Sequence, residues 1–315
     1  MPTGELPSAV AISAPGPVAV NEYQAPGMRT RRGQRDPLWV RCLLIGAAIG
    51  VIVVLILVPV LYVFFQAFSG GQERGEPYSF GNALRAYWAN LSDANTRHAM
   101  ALTLLVAPLA VLANLIFGLA AAWAIARFRF PGRTLLLTLI DVPFSVSPVV
   151  AGLAFVLLYG QEGFFGPFLE SVGIDVIFAR PGLILATAFI TFPFIARELI
   201  PLMESLGPDE ELAAISLGAT GWQTFFWITV PNIRWGLWFG VILCMARAMG
   251  EFGAVYVVSG RIVGQTDTLP LRVDRLFQDM NTPGSFAVAS VLTLLALVTL
   301  LLKTWVERKG HRSGR

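Results

Sequence analysis

Arg247 and Glu251 stand four residues apart inside an apolar run, so on a helix they share one face and can pair. A charged side chain near a bilayer centre costs about 2.5–3.5 kcal/mol on insertion scales, which drives such groups toward an interior or a partner. The pair therefore either lines a polar path or neutralises itself within a helix bundle. A second concentration, Asp141, Pro143, Ser145, Ser147 and Pro148, places polar groups and helix breakers together in another apolar run. Prolines free backbone groups that must be satisfied again inside protein or water. This region is either a broken helix that aims N–H groups into a cavity, as helix N-termini do for anions, or a packing kink with serines bonded back to their own helix. Asp141 carries a charge into an apolar run, so an arginine partner is expected for it. Arg197 and Glu198, with Pro193, mark the end of a further run.

Bond-making chemistry has no such support. A phosphate loop needs G-x-x-x-x-G-K-[ST], whereas the only lysines are Lys303 and Lys309. There is no GxSxG or HExxH, and the two histidines, His98 and His311, offer neither a hydrolase triad nor a metal site. Cys42 and Cys244 lie in apolar runs and are expected to pack as small hydrophobes. No catalytic residue, metal site or bound cofactor is expected on this chain.

The elements that position these residues follow from composition. The chain has 315 residues, 55% hydrophobic and 14% charged, with mean hydropathy +0.66, which calls for a bilayer rather than water as solvent. Crossing takes about 20 apolar residues. Runs at 42–66, 99–126, 134–159, 182–203, 233–258 and 286–302 qualify, giving an all-α membrane protein of six spans. The net charge of +3 is no sign of nucleic acid, because basic residues cluster at the ends of apolar runs. They gather at 29–41, 127–133 and 303–315 and are sparser at 74–97, 180 and 261–275, so both termini are expected in the cytoplasm. Residues 1–41 are expected as a mobile cytoplasmic tail, 42–66 as an uncleaved first span, 95–303 as the core and 304–315 as a basic tail. No internal repeat is evident.

Between the fourth and fifth runs lies a polar island, the loop 204–232, which holds no Lys or Arg. Span counting and the flanking Arg197 and Arg234 put it on the cytoplasmic side. Pro208 followed by Asp209, Glu210 and Glu211 is a helix start with acid at the positive end of the dipole. Gly218 suits a left-handed helix end, Thr220-Gly221-Trp222-Gln223 fits a capping box, and Val230-Pro231 is expected to stop the second helix. Small residues Ala213, Ala214 and Gly218 permit close approach by another backbone. Two readings remain: a docking surface, or an amphipathic helix resting in the lipid interface on Trp222, Phe225, Phe226 and Trp227. A DNA-binding helix-turn-helix lacks the cations to neutralise phosphate.

The spacing Ala213-Ala214, Gly218, Ile228, Val230-Pro231 resembles the EAA loop of bacterial ABC importer permeases, the coupling helix that seats in a cytoplasmic ATPase. The family's Glu position holds Leu212 here, with Glu211 one place earlier, so docking is expected to depend more on Ala213, Ala214 and Gly218 than on charge. Residues 139–153, 189–203, 218–226 and 246–260 narrow the resemblance to the CysW-type permeases of sulfate/thiosulfate importers. The resemblance implies the type I importer fold in a bacterial inner membrane, with lipid around it and no nucleic-acid partner. It also implies a CysT-type permease, a CysA-type ATPase dimer and a periplasmic sulfate/thiosulfate-binding protein. On this reading Glu211, Leu212, Ala213, Ala214, Gly218, Thr220 and Pro231 serve ATPase coupling. Asp141, Ser145, Ser147, Arg247 and Glu251 are candidates for the path of a dianion. The alternatives are an oxyanion permease of a sister family, such as one for molybdate, and a secondary transporter or channel without an ATPase.

Overall fold

The computed structural model describes residues 38–69 and 79–313, which fall into two compact units dividing after Leu55. In the first unit, α1 (Leu38–Ile52) is uniformly apolar apart from Arg41; the π-helical turn Val53–Leu57 that follows it straddles the division. The expected tail over 1–41 lies outside the described residues up to 37. Leu38–Arg41 are helix rather than tail, because Trp39 and Val40 extend the apolar run past Arg41.

The second unit contains α2 (Val58–Ala67), α3 (Phe80–Ser92), α4 (Ala94–Arg127), α5 (Arg133–Ser145), α6 (Pro148–Tyr159) and α7 (Gly166–Val172). After these come α8 (Arg180–Leu206), α9 (Asp209–Ser216), α10 (Gly221–Thr224), α11 (Val230–Met249), α12 (Gly253–Val258), α13 (Leu269–Gln278) and α14 (Thr282–Ser313). No strand occurs among the described residues. Five stretches are long and apolar enough to cross a membrane: Trp39–Ala67, Ala94–Arg127, Arg180–Leu206, Gly221–Met249 and Thr282–Lys309.

The third run, expected at 134–159 as either a broken helix or a kinked one, is the pair α5 and α6, bent by 109° at Val146–Ser147, and counts as a sixth crossing only as one broken span. Ser147 is extended and Pro148 opens α6, so the chain re-initiates a helix there rather than kinking through. The fifth span also differs from 233–258. It ends at Met249, and Gly250–Phe252 breaks the helix before α12, which leaves Glu251 outside α11. At the other end α14 runs on to Ser313, since nothing between Lys303 and Lys309 breaks a helix; most of the expected tail 304–315 is therefore helical.

The core lies where α4, α8 and α11 meet. Val111, Ala122 and Ile125 pack against Ile195, Leu199, Met203, Ile233 and Cys244, all buried. Within it, Asn114 donates to Thr191 Oγ1 at 2.8 Å, and Cys244 Sγ lies 3.6 Å from the Thr191 carbonyl, so one polar trio ties three helices together. Such bonds contribute about 0.6 kcal/mol on average within membranes. A second seam joins α6 to α12. A Cβ on Gly152 would stand 2.8 Å from the Ala254 carbonyl, so only glycine permits this approach. Asp93 caps α4 through the amides of Asn95 and Thr96 and also takes Arg272 Nη2 at 2.9 Å, which fixes α13 across the start of α4.

Candidate functional site

The loop after α8 is built from local signals. Asp209, Glu210 and Glu211 occupy the first turn of α9, and at its far end Gly218 takes φ +91°, with Gly218 N–H bonded to Ile215 O at 2.9 Å and Ala219 N–H to Ala214 O at 3.0 Å. The new helix opens with a full capping box, in which Thr220 N–H donates to Gln223 Oε1 at 2.8 Å and Gln223 N–H donates to Thr220 Oγ1 at 3.4 Å. Pro231 does not stop this helix. The π-helical turn Phe225–Thr229 lies immediately before it, at the carbonyls an α-helical proline would leave unpaired, and the winding continues from Gly221 to Met249.

Of the residues expected to couple to an ATPase, Leu212, Ala213, Gly218, Thr220 and Pro231 are exposed and Ala214 is half-buried. Exposed Ile215, Leu217, Trp222, Phe226 and Trp227 extend this into an apolar surface, with Leu217 at 90% and Trp227 at 81% exposure and Trp222 stacked on Phe226. Glu211 points the other way. Its Oε2 accepts from Arg127 Nε at 2.9 Å and its Oε1 from Thr229 Oγ1 at 2.8 Å, while Arg127 Nη1 donates to Met203 O at 2.7 Å. Asn232 hydrogen-bonds Glu210 beside it. Arg127 and Thr229 were not singled out by sequence reasoning; Arg127 stands 84 positions from Glu211, and only the packing of α4 on α8 brings them together. Trp123, with its ring centroid 5.1 Å from that of Phe225, adds an apolar contact between α4 and the loop.

The residues expected on a path form two ion pairs. Arg247 Nη1 lies 2.6 Å from Glu251 Oε2, and Glu251, only 2% exposed, also accepts the Ala254 N–H at 3.1 Å, which places its carboxylate at the start of α12. Asp141 meets Arg197 at 2.6 Å, with the guanidinium 5.0 Å above the Phe144 ring; both charged groups are substantially exposed. Ser145 and Ser147 flank the bend and are exposed, and neither hydroxyl bonds back to its own helix among the described residues. Close contact between α6 and α12, where a Cβ on Gly253 would stand 2.8 Å from Pro148 Cβ, brings the Ser147–Pro148 break next to the Glu251 break. The arrangement offers charge pairs and free helix-start N–H groups, with no nucleophile–base pair. No cluster of three or more His, Cys, Asp or Glu able to hold a metal occurs among the described residues.

Residues 114–311 match the family described as "Binding-protein-dependent transport system inner membrane component". The sulfate transport system permease protein CysW of Escherichia coli (strain K12) is 49% identical over 269 residues, 85% of this chain and 88% of that protein. Its counterpart of the same name in Synechocystis sp. (strain ATCC 27184 / PCC 6803 / Kazusa) is 48% identical over 276 residues, 87% and 96% of the two chains. A crystal structure of a bacterial ABC transporter involved in import of the acidic polysaccharide alginate shares the fold, with TM-score 0.67 at 17% identity, covering 87% of this chain and 96% of that one. By this match over most of its length, the chain belongs to the inner membrane components of binding-protein-dependent transport systems, among the CysW-type permeases.

Proposed function

We propose that this chain is one of two permease subunits of an ATP-driven sulfate importer, with thiosulfate as a second oxyanion substrate. The observation that carries the reading is the loop of α9 and α10. It is braced from within through Glu211 and presents Leu212, Ile215, Leu217, Trp222 and Trp227 outward, exposed among the described residues. A chain without a phosphate loop needs an external motor, and a braced apolar surface at the end of α8 is where a motor can push. A CysA-type ATPase dimer docks there, a CysT-type permease completes the path, and a periplasmic binding protein delivers the anion. Both termini then lie in the cytoplasm, in line with the basic residues near them.

On the path, Arg247 supplies a positive charge held by Glu251, and Asp141 keeps Arg197 in place. The uncapped start of α6 at Ser147–Pro148 offers backbone N–H groups to the passing oxyanion. Alternation between inward- and outward-facing states follows from rocking of this subunit against its partner. Binding and rocking involve no covalent step on this chain.

Two measurements on the purified assembly test this: whether a nucleotide-binding subunit co-purifies in detergent, and which anions compete for uptake. Co-purification, with sulfate and thiosulfate competing better than molybdate, is expected. Uptake that is insensitive to ATP depletion, with no nucleotide-binding subunit present, refutes the reading in favour of a secondary transporter. Preference for molybdate refutes the substrate alone.

A further inference from the structure

Three elements meet at one side chain, and a fourth joins them through its partner. Arg127 is the last residue of α4. Through its guanidinium it holds the Met203 carbonyl near the end of α8 and the Glu211 carboxylate on α9, and Glu211 in turn holds Thr229 in the π-helical turn before α11. Arg127 and Glu211 are only 10% and 14% exposed, so salt screens the pair little and water replaces a lost partner only in part. Arg133 forms a second, more open bracket, donating to Ile125 O at 2.9 Å and meeting Glu204 at 2.6 Å, but it does not reach α9. Among the described residues α9 has one further side-chain bond to a span, Glu210 with Asn232, while the Trp123–Phe225 contact joins α4 to the π-helical turn rather than to α9.

We propose that Arg127 is a positioning residue of the transport cycle, a tie that converts displacement of α9 into movement of α4. The acid of the loop therefore acts inward, and the partner-facing surface is left to apolar residues. From the tie the load runs along α4 to Asn114, whose bond to Thr191 carries it across to α8 within the bilayer, where Cys244 of α11 also meets them. Without Arg127, α9 can still be held and moved by an ATPase, but it moves without dragging α4. The expected result is hydrolysis that is poorly converted into transport.

The proposal rests on the importer reading and is tested on the full complex in proteoliposomes, by measuring sulfate uptake and ATP hydrolysis together. Arg127→Gln, at native ATPase content, is expected to lower uptake per ATP about three- to tenfold, within the range by which residues remote from both sites modulate coupling. Glu211→Gln should do the same, and the double variant should be no worse than the single ones, because both remove one tie. Where Arg127→Gln does not assemble, Arg127→Lys keeps the charge but loses the two-pronged grip, and a fall of about two- to threefold is expected. A native uptake-per-ATP ratio in either assembled Arg127 variant, or additive losses in the double variant, overturns the proposal. Absence of ATP-dependent uptake by the native complex would instead overturn the importer reading itself.

Discussion

Replacing Gly218 by valine isolates the shape of the loop from its side-chain contacts. Gly218 sits at φ +91°, and a Cβ built there meets nothing within 4 Å, so the branch point itself fits and the cost is chiefly backbone strain. An L-residue in left-handed geometry costs about 1–2 kcal/mol, and a β-branched one is a genuine outlier there. To relieve it, the end of α9 must give up the bonds from Gly218 N–H to Ile215 O and from Ala219 N–H to Ala214 O, swinging Leu217 and α10 out of register. A penalty of 1–2 kcal/mol is a factor of about 5–30 in population, so affinity for the ATPase should fall by that factor. Binding of the purified ATPase subunits to this chain in nanodiscs measures it. Gly173→Val is the matched control, since Gly173 also has positive φ (+71°) with nothing within 4 Å, but closes α7 at the opposite end of α8. Native affinity in Gly218→Val, or an equal loss in Gly173→Val, would show that the angle of the loop is not what the ATPase reads.

Arg247→Ala leaves the buried Glu251 carboxylate without its partner; because the Arg247 side chain is 35% exposed, the cost lies below the about 3–5 kcal/mol of breaking a fully buried pair. Uptake at native protein level should fall about tenfold or more, and restoring assembly with Glu251→Gln should not restore it; native uptake by Arg247→Ala contradicts a path role. Asp267, between α12 and α13 and only 1% exposed, has its carboxyl pushed up by burial, opposed by Arg275, Arg272, Arg261 and His98. A raised folded pKa gives stability that is complete below the ordinary value of about 3.9 and is lost as pH rises through the folded value. The Tm of the native complex should therefore decline relative to Asp267→Asn as pH rises above the ordinary carboxyl value, and a native-to-variant difference that does not change with pH contradicts the burial argument.

The loop was the most legible part of the chain because its determinants are local. A capping box spans Thr220 to Gln223, and a left-handed glycine needs no distant partner, so both can be read from spacing. Pro231 was misread as a stop for the opposite reason: a wider turn at Phe225–Thr229 absorbs its missing donor, and nothing in FFWIT announces that turn. Pro143 and Ser147-Pro148 signalled a break in the third run, but the 109° bend is set by how α6 packs on α12 through Gly152. Gly250 and Gly253 sat in an apolar run long enough to pass for one span, which hid the break that carries Glu251. Arg127 read as a topology charge, and its role as a tie needed α4 and α8 laid side by side.

Uptake of radiolabelled sulfate into proteoliposomes, with this chain present or omitted from the complex and ATP present or absent inside, tests the central claim most directly. Accumulation against a gradient only when both the chain and ATP are present is the predicted result. Sulfate movement through this chain that proceeds equally without ATP, or an unchanged ATP-driven uptake when the chain is left out, would contradict the account.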